Sequence, residues 1–418
     1  MSDAPNGEDA ARLRADRSAA YQRLLRRPDD PDRPAFLELF FDLVYVFALT
    51  QLTHLLIKKL NWQGAFEAAV LLLALWWIWV LTAWLTDQFD PQHPAVQWHV
   101  VVVMLGILLM AILVPEAFGE HGLYFAVLYV AINFGRGVFI RLAARGTDLT
   151  RRVLRTAFWF TLSTLLWIPG ALVEGWARAV LWLLALSVDY VSAALRWPTP
   201  RLGRAPLWEL DISEAHLAER YRQVFIIALG EIVLIMGLTF SDTGPSNFTP
   251  ARTAVLVLSF ASAALIWRLY IYRAGAQLAS AIRVSPNPHR LSQSASYLHT
   301  VMVAGIILTA VGFTLIIENP TEQPPVAWIA GITGGPALFL AGRTGFEYLV
   351  YGQVTAPRLL GIAALGILSA FVVHLPPEVT SGAATLVLAA VAVAETARHR
   401  RHPRSPTPPA TSGQRYTR

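Results

Sequence analysis

The sequence predicts an all-α, polytopic membrane protein with about twelve transmembrane helices, arranged as two parallel six-helix repeats. Three observations support this fold class. The 418 residues are 55% hydrophobic and only 15% charged. Apolar stretches long enough to cross a bilayer recur along the chain, and Lys and Arg are concentrated in alternate connections between those stretches.

The composition is too apolar for a water-soluble domain. Soluble domains carry about a quarter charged residues, and a chain with a mean hydropathy of +0.47 cannot hide its apolar groups in one core. The absence of cysteine excludes disulfides, a thiol nucleophile and a zinc site built on thiolates. The formal net charge of +6 lies in short loops and tails, where it orients a membrane protein. We therefore expect no nucleic-acid partner.

A helix needs about 20 mostly apolar residues to cross a bilayer, because lipid offers no partner to an unpaired backbone group. The predicted spans of the first half are residues 36–57, 65–86, 96–115, 122–142, 153–172 and 177–195. Those of the second half are residues 214–239, 252–273, 295–317, 326–349, 358–375 and 380–397.

The charges at the ends of the spans predict an orientation. Residues 1–34 carry charges of both signs and no apolar core of a signal peptide, so the first span is expected to act as the insertion signal. If the amino terminus is cytoplasmic, Lys58, Lys59 and Arg178 are the basic residues that fall clearly outside. This asymmetry follows the positive-inside rule and predicts an even number of spans with both termini in the cytoplasm.

Matching features recur in the two halves in the same order, and the longer loops of the second half absorb a growing offset. The matching pairs are His99 with His299, Glu116 with Glu318, Arg136 with Arg343, Arg155 with Arg358, and Asp189 with Glu395. Because each half holds an even number of spans, the two copies would be parallel, related by an axis along the membrane normal.

These features divide the chain into five segments. They are a charged cytoplasmic amino-terminal segment (1–34), a first six-helix repeat (35–196), a cytoplasmic linker (197–212), a second six-helix repeat (213–397) and a basic carboxyl-terminal tail (398–418). The tail is rich in Arg, Pro, Ser and Thr and is expected to be disordered.

The first span places carboxylates where lipid disfavours them. A charged side chain inside a span costs about 2.5 kcal/mol or more, so it usually faces a bundle interior or a water-filled cavity. Glu38, Asp42 and Tyr45 follow i, i+4, i+7 spacing and share one helical face, which predicts a polar pathway along that face. The alternative is that both carboxylates lie in interfacial first turns, where a helix amino terminus favours negative charge.

The seventh span carries the densest polar stripe. Glu231 is far enough along to lie near the bilayer midplane, beside Gly230, which would permit close helix approach. An isolated buried carboxylate should hold a proton or pair with an arginine, so a structural ion pair is the alternative to a role in ion or proton passage. The candidate pathway residues of this span are His216, Glu219, Arg220, Gln223, Gly230 and Glu231.

Arg136 and Arg343 occupy matching places in the fourth and tenth spans. Both are candidate charge partners for the carboxylates. Both also lie toward the cytoplasmic end of their spans, so snorkelling to the interface is the alternative. For His99 and His299, near the cytoplasmic starts of their spans, a structural role is favoured.

Two segments together resemble a known family. Residues 38–47 (ELFFDLVYVF) and 216–231 (HLAERYRQVFIIALGE) are similar, in order and spacing, to the two signatures of the bacterial low temperature requirement A (LtrA) family. The similarity in layout covers about residues 33–397. It implies a bacterial inner-membrane protein of a family linked by name to growth in the cold, with no substrate attached. The motif positions in this chain are Glu38, Asp42, His216, Glu219, Arg220, Gly230 and Glu231.

The expected function is transport of an ion or small solute, as a carrier or channel, around a polar centre of intramembrane carboxylates. The alternatives are a non-transporting membrane protein of stress or cold adaptation, with buried charges satisfied pair by pair, and a membrane-embedded enzyme. The sequence has no H-E-x-x-H, G-x-S-x-G or G-x-G-x-x-G motif. We therefore expect no enzyme, metal or cofactor; the expected partners are the bilayer and the solute, and a homo-oligomer stays open.

Overall fold

The computed structural model describes residues 21–26, 35–143, 149–206, 213–242, 248–271, 274–285, 287–319 and 325–401. Within these residues the chain is helical apart from turns and two isolated β-bridges, so the predicted all-α class is confirmed. The chain divides into two compact units. Unit 1 holds residues up to Leu55 and Trp62–Leu217, and unit 2 holds Leu56–Asn61 and residues from Ala218 onward.

Six long helices and the first turn of a seventh belong mainly to unit 1. Consecutive helices pack side by side from α3 to α6, and α2 packs against α6. The helices are α1 (Phe36–Lys58), α2 (Trp62–Gln88), α3 (Pro94–Leu113), α4 (Gly122–Ala143), α5 (Leu149–Leu172) and α6 (Gly175–Ala194).

Unit 2 shows the same order of packing, from α10 through α11 and α12 to α13, with α8 against α13. A π-helical turn, Ala330–Gly334, leads directly into α11. The helices are α7 (Glu214–Asp242), α8 (Pro250–Ile271), α9 (Ala274–Val284), α10 (Pro288–Glu318), α11 (Gly335–Tyr351), α12 (Ala356–Ser369) and α13 (Pro377–Arg401).

Local sequence explains where the central helices begin. His93 precedes α3, and its side chain accepts a hydrogen bond from the Ala95 backbone nitrogen. Asn287 precedes α10 and accepts one from the Arg290 nitrogen. In both helices a proline follows the cap, where its fixed φ angle suits a helix and its missing N–H is no loss.

One helix in each unit is buried over much of its length and lies in the core of that unit. Most of α2 is buried, including Trp76, Trp77 and Trp79, and α10 is buried along nearly its whole second half. Helices that are hydrophobic all round are expected inside a bundle or a membrane. Trp76, Trp77 and Trp79 therefore pack in the core of unit 1.

Among the described residues, glycines allow α10 to approach the backbone of the π turn and α11 closely. A Cβ atom placed on Gly305 would lie 2.5 Å from the Phe339 backbone nitrogen, and one on Gly312 would lie 2.5 Å from the Gly331 carbonyl carbon. Only glycine permits backbones to approach this closely. At Gly230, by contrast, no heavy atom lies within 4 Å of such a Cβ, so the expected close approach at this glycine is wrong.

Nine helices within the described residues are long and apolar enough to cross a membrane. Each of the twelve predicted spans coincides with a helix, but three fall short of that criterion. They are α5, whose amino end is rich in arginine, α11, which the π turn precedes, and α12, which ends at Ser369 before a short 3₁₀ turn.

The predicted end segments and linker are described in part. Of segment 1–34, residues 21–26 and Ala35 onward are described; residues 21–24 form a helical turn whose Leu24 carbonyl accepts from the Asp90 nitrogen. Linker residues 197–206 fold onto unit 1, where Arg155 donates to the Leu202 carbonyl, and residues 207–212 lie outside the described part. Helix α13 continues through Arg401, past the predicted boundary at 397, and the tail 402–418 also lies outside.

Candidate functional site

The polar face predicted for α1 is buried. Glu38 is 1% exposed, and Asp42 and Tyr45 are fully buried, whereas Phe40 and Leu43 between them are exposed. The i, i+4, i+7 spacing therefore directs the polar side chains into the protein and the apolar ones outward. This is the reverse of a helix in water and is expected where lipid surrounds the bundle.

Asp42 and Tyr45 meet the tryptophans of α2. The Trp79 indole nitrogen donates to Asp42 Oδ1 at 2.8 Å, and the Tyr45 ring packs against Trp76 and Trp79 with centroids 6.4 Å apart. The indole N–H is a neutral donor, so it satisfies an Asp42 oxygen without neutralising a charge.

One turn nearer the amino end of α1, three titratable side chains from distant parts of the chain meet. His216 Nε2 lies 3.1 Å from Glu38 Oε2, and His216 Nδ1 lies 2.9 Å from Asp87 Oδ1. All three are buried, and His216 is 0% exposed. We call Glu38, His216 and Asp87 the His216 cluster; all three belong to unit 1.

Neutral donors also bond to both carboxylates. Glu38 accepts from the Thr86 hydroxyl at 2.5 Å and from the Ala35 backbone nitrogen at 2.9 Å. Asp87 accepts from the Ser213 backbone nitrogen at 2.8 Å. Ala35 and Ser213 each stand directly before a helix, α1 and α7, so each carboxylate also satisfies a backbone N–H at a helix start, where negative charge is favoured.

The hydrogen-bond inventory fixes how many protons the His216 cluster holds. A neutral imidazole has one N–H and one acceptor nitrogen, and an ionised carboxylate can only accept. Two contacts between nitrogen and carboxylate oxygen therefore need two hydrogens. Either His216 is an imidazolium between two carboxylates, or it is neutral and one acid keeps its proton. Both arrangements carry a net charge of −1 and differ only in where one proton lies.

Sequence reasoning identified two members of the His216 cluster and missed the third. Glu38 and His216 are candidate residues, but Asp87 lies just past the predicted end of the second span at residue 86 and was not singled out. Its separation from His216, 129 positions, gives no spacing to detect. The signal that the sequence did contain was a carboxylate directly after Thr86, at the end of a largely apolar stretch.

The remaining candidates of α7 lie in unit 2. Glu219 pairs with Arg222 at 2.7 Å, and both are about a third exposed. Arg220 is buried and donates to the Gln223 side-chain oxygen at 3.0 Å. Glu231 is fully buried. The predicted stripe thus presents Arg220 and Glu231 to the protein interior and leaves Glu219 near the surface.

The comparisons with known proteins agree with the two motifs in α1 and α7. The model of the bacterial low temperature requirement A protein (LtrA) family matches residues 33–393. The chain belongs to this family. It is 36% identical over 375 residues to an uncharacterised protein of Rhizobium meliloti (strain 1021), which covers 88% of this chain and 90% of the relative. No solved structure matches this LtrA-family membrane protein.

The two candidate arginines of this LtrA protein are buried, so neither snorkels. Arg136 donates to the Asn133 side-chain oxygen at 3.1 Å and to the Thr82 hydroxyl at 3.4 Å, and it makes no ion pair within the described residues. The Arg343 Nε donates to the Leu269 carbonyl at 3.1 Å. Arg343 also lies within electrostatic range of Glu347 and Glu395.

Unit 2 contains a second charge cluster, which sequence reasoning did not single out as a cluster. Arg358 at the start of α12 forms ion pairs with Glu347 of α11 and Glu395 of α13. The three side chains are less than a tenth exposed, and Thr355 donates to Glu347 at 3.2 Å. We call them the Arg358 cluster. Two carboxylates and one guanidinium again carry a net charge of −1 if both acids are ionised.

Neither cluster is arranged to hold a metal ion. Both ring nitrogens of His216 face carboxylate oxygens, and a histidine ligand needs a free nitrogen lone pair. Within the described residues no group of three His, Asp or Glu side chains has the geometry of a metal site.

Proposed function

We propose that this LtrA-family protein transports an ion or small solute across the membrane, and that the His216 cluster takes up and releases a proton during transport. The observation that carries the proposal is that a buried histidine has a carboxylate on each ring nitrogen. Histidine is the side chain whose charge changes near neutral pH, and intramembrane chains of Asp, Glu and His are the usual proton relays of pumps and transporters.

The geometry supports a protonation switch for an electrostatic reason. A third proton would bring the net charge of the His216 cluster from −1 to 0, and loss of one would bring it to −2. In a low-dielectric interior each change is large compared with the same change in water. The His216 cluster joins the amino ends of α1 and α7 to the carboxyl end of α2, so its charge state bears on how these three helix ends are held together.

The stripe on α7 continues the polar groups away from the His216 cluster. Arg220, Gln223 and Glu231 follow His216 along one side of the helix, and Arg220 and Glu231 are buried. In the proposal, Glu38, Asp42 and Tyr45 line the part of the polar pathway that belongs to unit 1, and Arg220, Gln223, Gly230 and Glu231 line the part that belongs to unit 2. Glu219, which pairs with Arg222 near the surface, contributes at its rim.

We also propose that the chain has twelve spans in two related halves, in the bacterial inner membrane with both termini in the cytoplasm. The shared order of packing, third to sixth helix consecutively and second against sixth, supports the repeat. The basic residues Arg26 and Arg152 lie at the same end of unit 1 as the His216 cluster, because both bond to Gln88, which follows Asp87. Arg178 lies at the other end, where it donates to the Ala117 and Gly119 carbonyls.

A second function, a membrane protein without flux, is favoured by one observation. Both carboxylates of the His216 cluster accept from backbone nitrogens at helix starts, Ala35 and Ser213, as in a purely structural clamp. In both functions we propose a non-enzymatic protein, because both ring nitrogens of His216 are engaged by carboxylate oxygens.

Reconstitution distinguishes these functions. Purified protein is placed in liposomes that contain a pH indicator, and proton entry is followed under an imposed potassium diffusion potential. We expect flux above that of protein-free liposomes and a fall to that level in His216→Gln, with Glu38→Gln and Asp87→Asn also reduced. The matched control is His99→Gln, since His99 stacks on Phe139 with centroids 4.4 Å apart and contacts no carboxylate within the described residues.

Two outcomes would reject the proposal. Wild-type protein without flux, at a density at which it is folded, would leave the structural clamp as the function. Equal flux in wild type and His216→Gln would show that any transport does not depend on the His216 cluster. If His99→Gln loses as much flux as His216→Gln, the loss reflects damage to unit 1 and the proposal also fails.

A further inference from the structure

A cleft in unit 1 lies beside the His216 cluster. Its cavity volume is about 40 Å³, and it is lined from α2, α4, α5 and the first residue of the linker. The lining residues with polar groups are Trp84, Gln88, Asn133, Arg136, Arg152, Thr156 and Trp197. The lining residues include two arginines and no acid.

Arg136 is the unusual member of this lining. Its side chain is 5% exposed, its two bonds go to the neutral Asn133 and Thr82, and its buried Nε has no hydrogen-bond partner within the described residues. A buried charge without a counter-charge is costly. A guanidinium Nε with a neighbouring Nη presents the fork that matches carboxylate and phosphate oxygens.

Other hydrogen-bond donors around the cleft would also favour an oxyanion. The Trp197 indole N–H is buried and also lacks a partner within the described part of the chain. Arg152, half-buried, donates to the Gln88 side-chain oxygen at 2.7 Å, so that amide oxygen is occupied and its NH₂ group remains as a donor. Unpaired donors and two positive charges together favour an oxyanion over a cation or a neutral solute.

We propose that this cleft binds a small oxyanion, of the carboxylate or phosphate type, on Arg136. The inference rests on the proposed transport function for its role, because it names the class of solute that would move with the proton. The link is a single face of α2. Thr82 accepts from Arg136, and Thr86, one turn further, donates to Glu38 of the His216 cluster. The residues of α2 that Arg136 and Glu38 contact, Thr82 and Thr86, are therefore one helical turn apart.

Anion binding can be measured without transport. The thermal unfolding midpoint of the full-length protein, purified in detergent, is recorded against increasing sodium phosphate and sodium acetate, with sodium chloride at matched ionic strength as reference. A ligand that binds the folded state raises the midpoint with a saturable dependence on its concentration. We expect such a rise for phosphate or acetate in the wild type, and its loss in Arg136→Gln.

Arg178→Gln is the matched control. Arg178 is a buried arginine of the same unit, but its donors are used by the carbonyls of Ala117, Gly119, Ala171 and Val173. This variant should start from a lower midpoint and keep the full response to the anion. Should Arg136→Gln fail to fold, Arg152→Gln and Trp197→Phe take its place, and each is expected to weaken the response.

The same measurement in nanodiscs identifies the source of the anion. If discs of anionic phospholipid remove the response to phosphate that discs of zwitterionic lipid preserve, the occupant is a lipid headgroup. If the response is the same in both, the occupant is a free anion. A purely linear effect of phosphate, or equal responses in wild type and Arg136→Gln, would overturn the inference. Neither result would bear on proton flux through the His216 cluster, which the liposome assay measures separately.

Discussion

The two units each bury a pair of carboxylates around one basic side chain, and the basic residue differs. In unit 1 the centre is His216, between Glu38 and Asp87. In unit 2 it is Arg358, between Glu347 and Glu395. Arginine stays protonated in proteins, whereas histidine changes its charge near neutral pH. Two clusters with the same net charge therefore differ in whether that charge can change.

The clusters also differ in the helices that they join. The Arg358 cluster connects three consecutive helices, α11 to α13, and so acts within a short stretch of chain. The His216 cluster joins the start of α1 and the end of α2 to the start of α7, with 129 positions between Asp87 and His216. We therefore propose a fixed structural role for the Arg358 cluster and a switchable role for the His216 cluster.

The largest expected effect is on the Arg358 cluster. Arg358→Gln would remove the arginine that pairs with two buried carboxylates and leave Arg343 as the arginine within their electrostatic range. Breaking a buried pair in this way costs about 3–5 kcal/mol. Chemical or thermal unfolding in detergent measures the loss. The control is the triple variant Glu347→Gln, Arg358→Gln, Glu395→Gln, which removes all three charges and should regain much of the stability.

A triple variant as unstable as the single one would contradict this account. The cost would then come from lost packing around the long arginine side chain, and the Arg358 cluster would not be an electrostatic clamp.

A second comparison lies within unit 2, between tight and open glycines. Gly312→Ala would place a methyl group 2.5 Å from the Gly331 carbonyl carbon, so α10 and the π turn must separate, at a cost of about 1–3 kcal/mol. Gly230→Ala meets no atom within 4 Å and should raise stability, because alanine favours helix over glycine by about 1 kcal/mol.

Unfolding midpoints of the two alanine variants, measured side by side, test this difference in sign. If both variants lose stability equally, the α10–α11 contact is looser than the structure indicates, and unit 2 depends on its charge cluster more than on close backbone packing.

In the His216 cluster we expect a smaller loss of stability than in the Arg358 cluster. His216→Gln removes hydrogen bonds to charged groups worth about 1.5–3 kcal/mol. Glu38 keeps Thr86 and Ala35 as donors, and Asp87 keeps Ser213, so neither carboxylate is left without a partner. Glu395, in contrast, has Arg358 as its partner within the described residues.

The measurement is the free energy of unfolding of His216→Gln beside Arg358→Gln, in the same detergent and at the same pH. If His216→Gln is the less stable of the two variants, the His216 cluster contributes more to the free energy of unfolding than the Arg358 cluster does. That result would favour the structural clamp over the proton-binding site.

Much of the fold could be predicted from the sequence because lipid imposes strict requirements. Every backbone group in a span must bond within its helix, so apolar length alone located a helix at each of the twelve predicted spans. The count of spans could not be fixed the same way, because α11 and α12 are short and a π turn interrupts the chain before α11. Hydropathy does not register such interruptions.

The candidate site was predicted in part, for a similar reason. Charges inside apolar stretches stand out, which identified Glu38 and His216. Asp87 did not stand out, because at the end of a span a carboxylate is commonly solvated. Gly230 was misjudged since close helix approach depends on what the other helix presents, and the tight glycines proved to be those of α10 and α11. Pairings across more than a hundred positions have no local signature.

The smallest expected effect on stability is at Asp42, whose contact with Trp79 is to a neutral group, whereas Glu38, one turn away on α1, contacts His216. Asp42→Asn keeps an oxygen that accepts from the Trp79 indole at the same position, so it should change the free energy of unfolding by about 1 kcal/mol or less. Trp79→Phe removes the donor and should cost more, since an unsatisfied buried oxygen costs about 1–3 kcal/mol. Tryptophan fluorescence checks that the indole environment is preserved in Asp42→Asn. If Asp42→Asn is instead as destabilising as Arg358→Gln, a positive charge stabilises the Asp42 carboxylate. Glu38 and Asp42 would then belong to one charge cluster on the buried face of α1, and the contact at Asp42 would not be a neutral one.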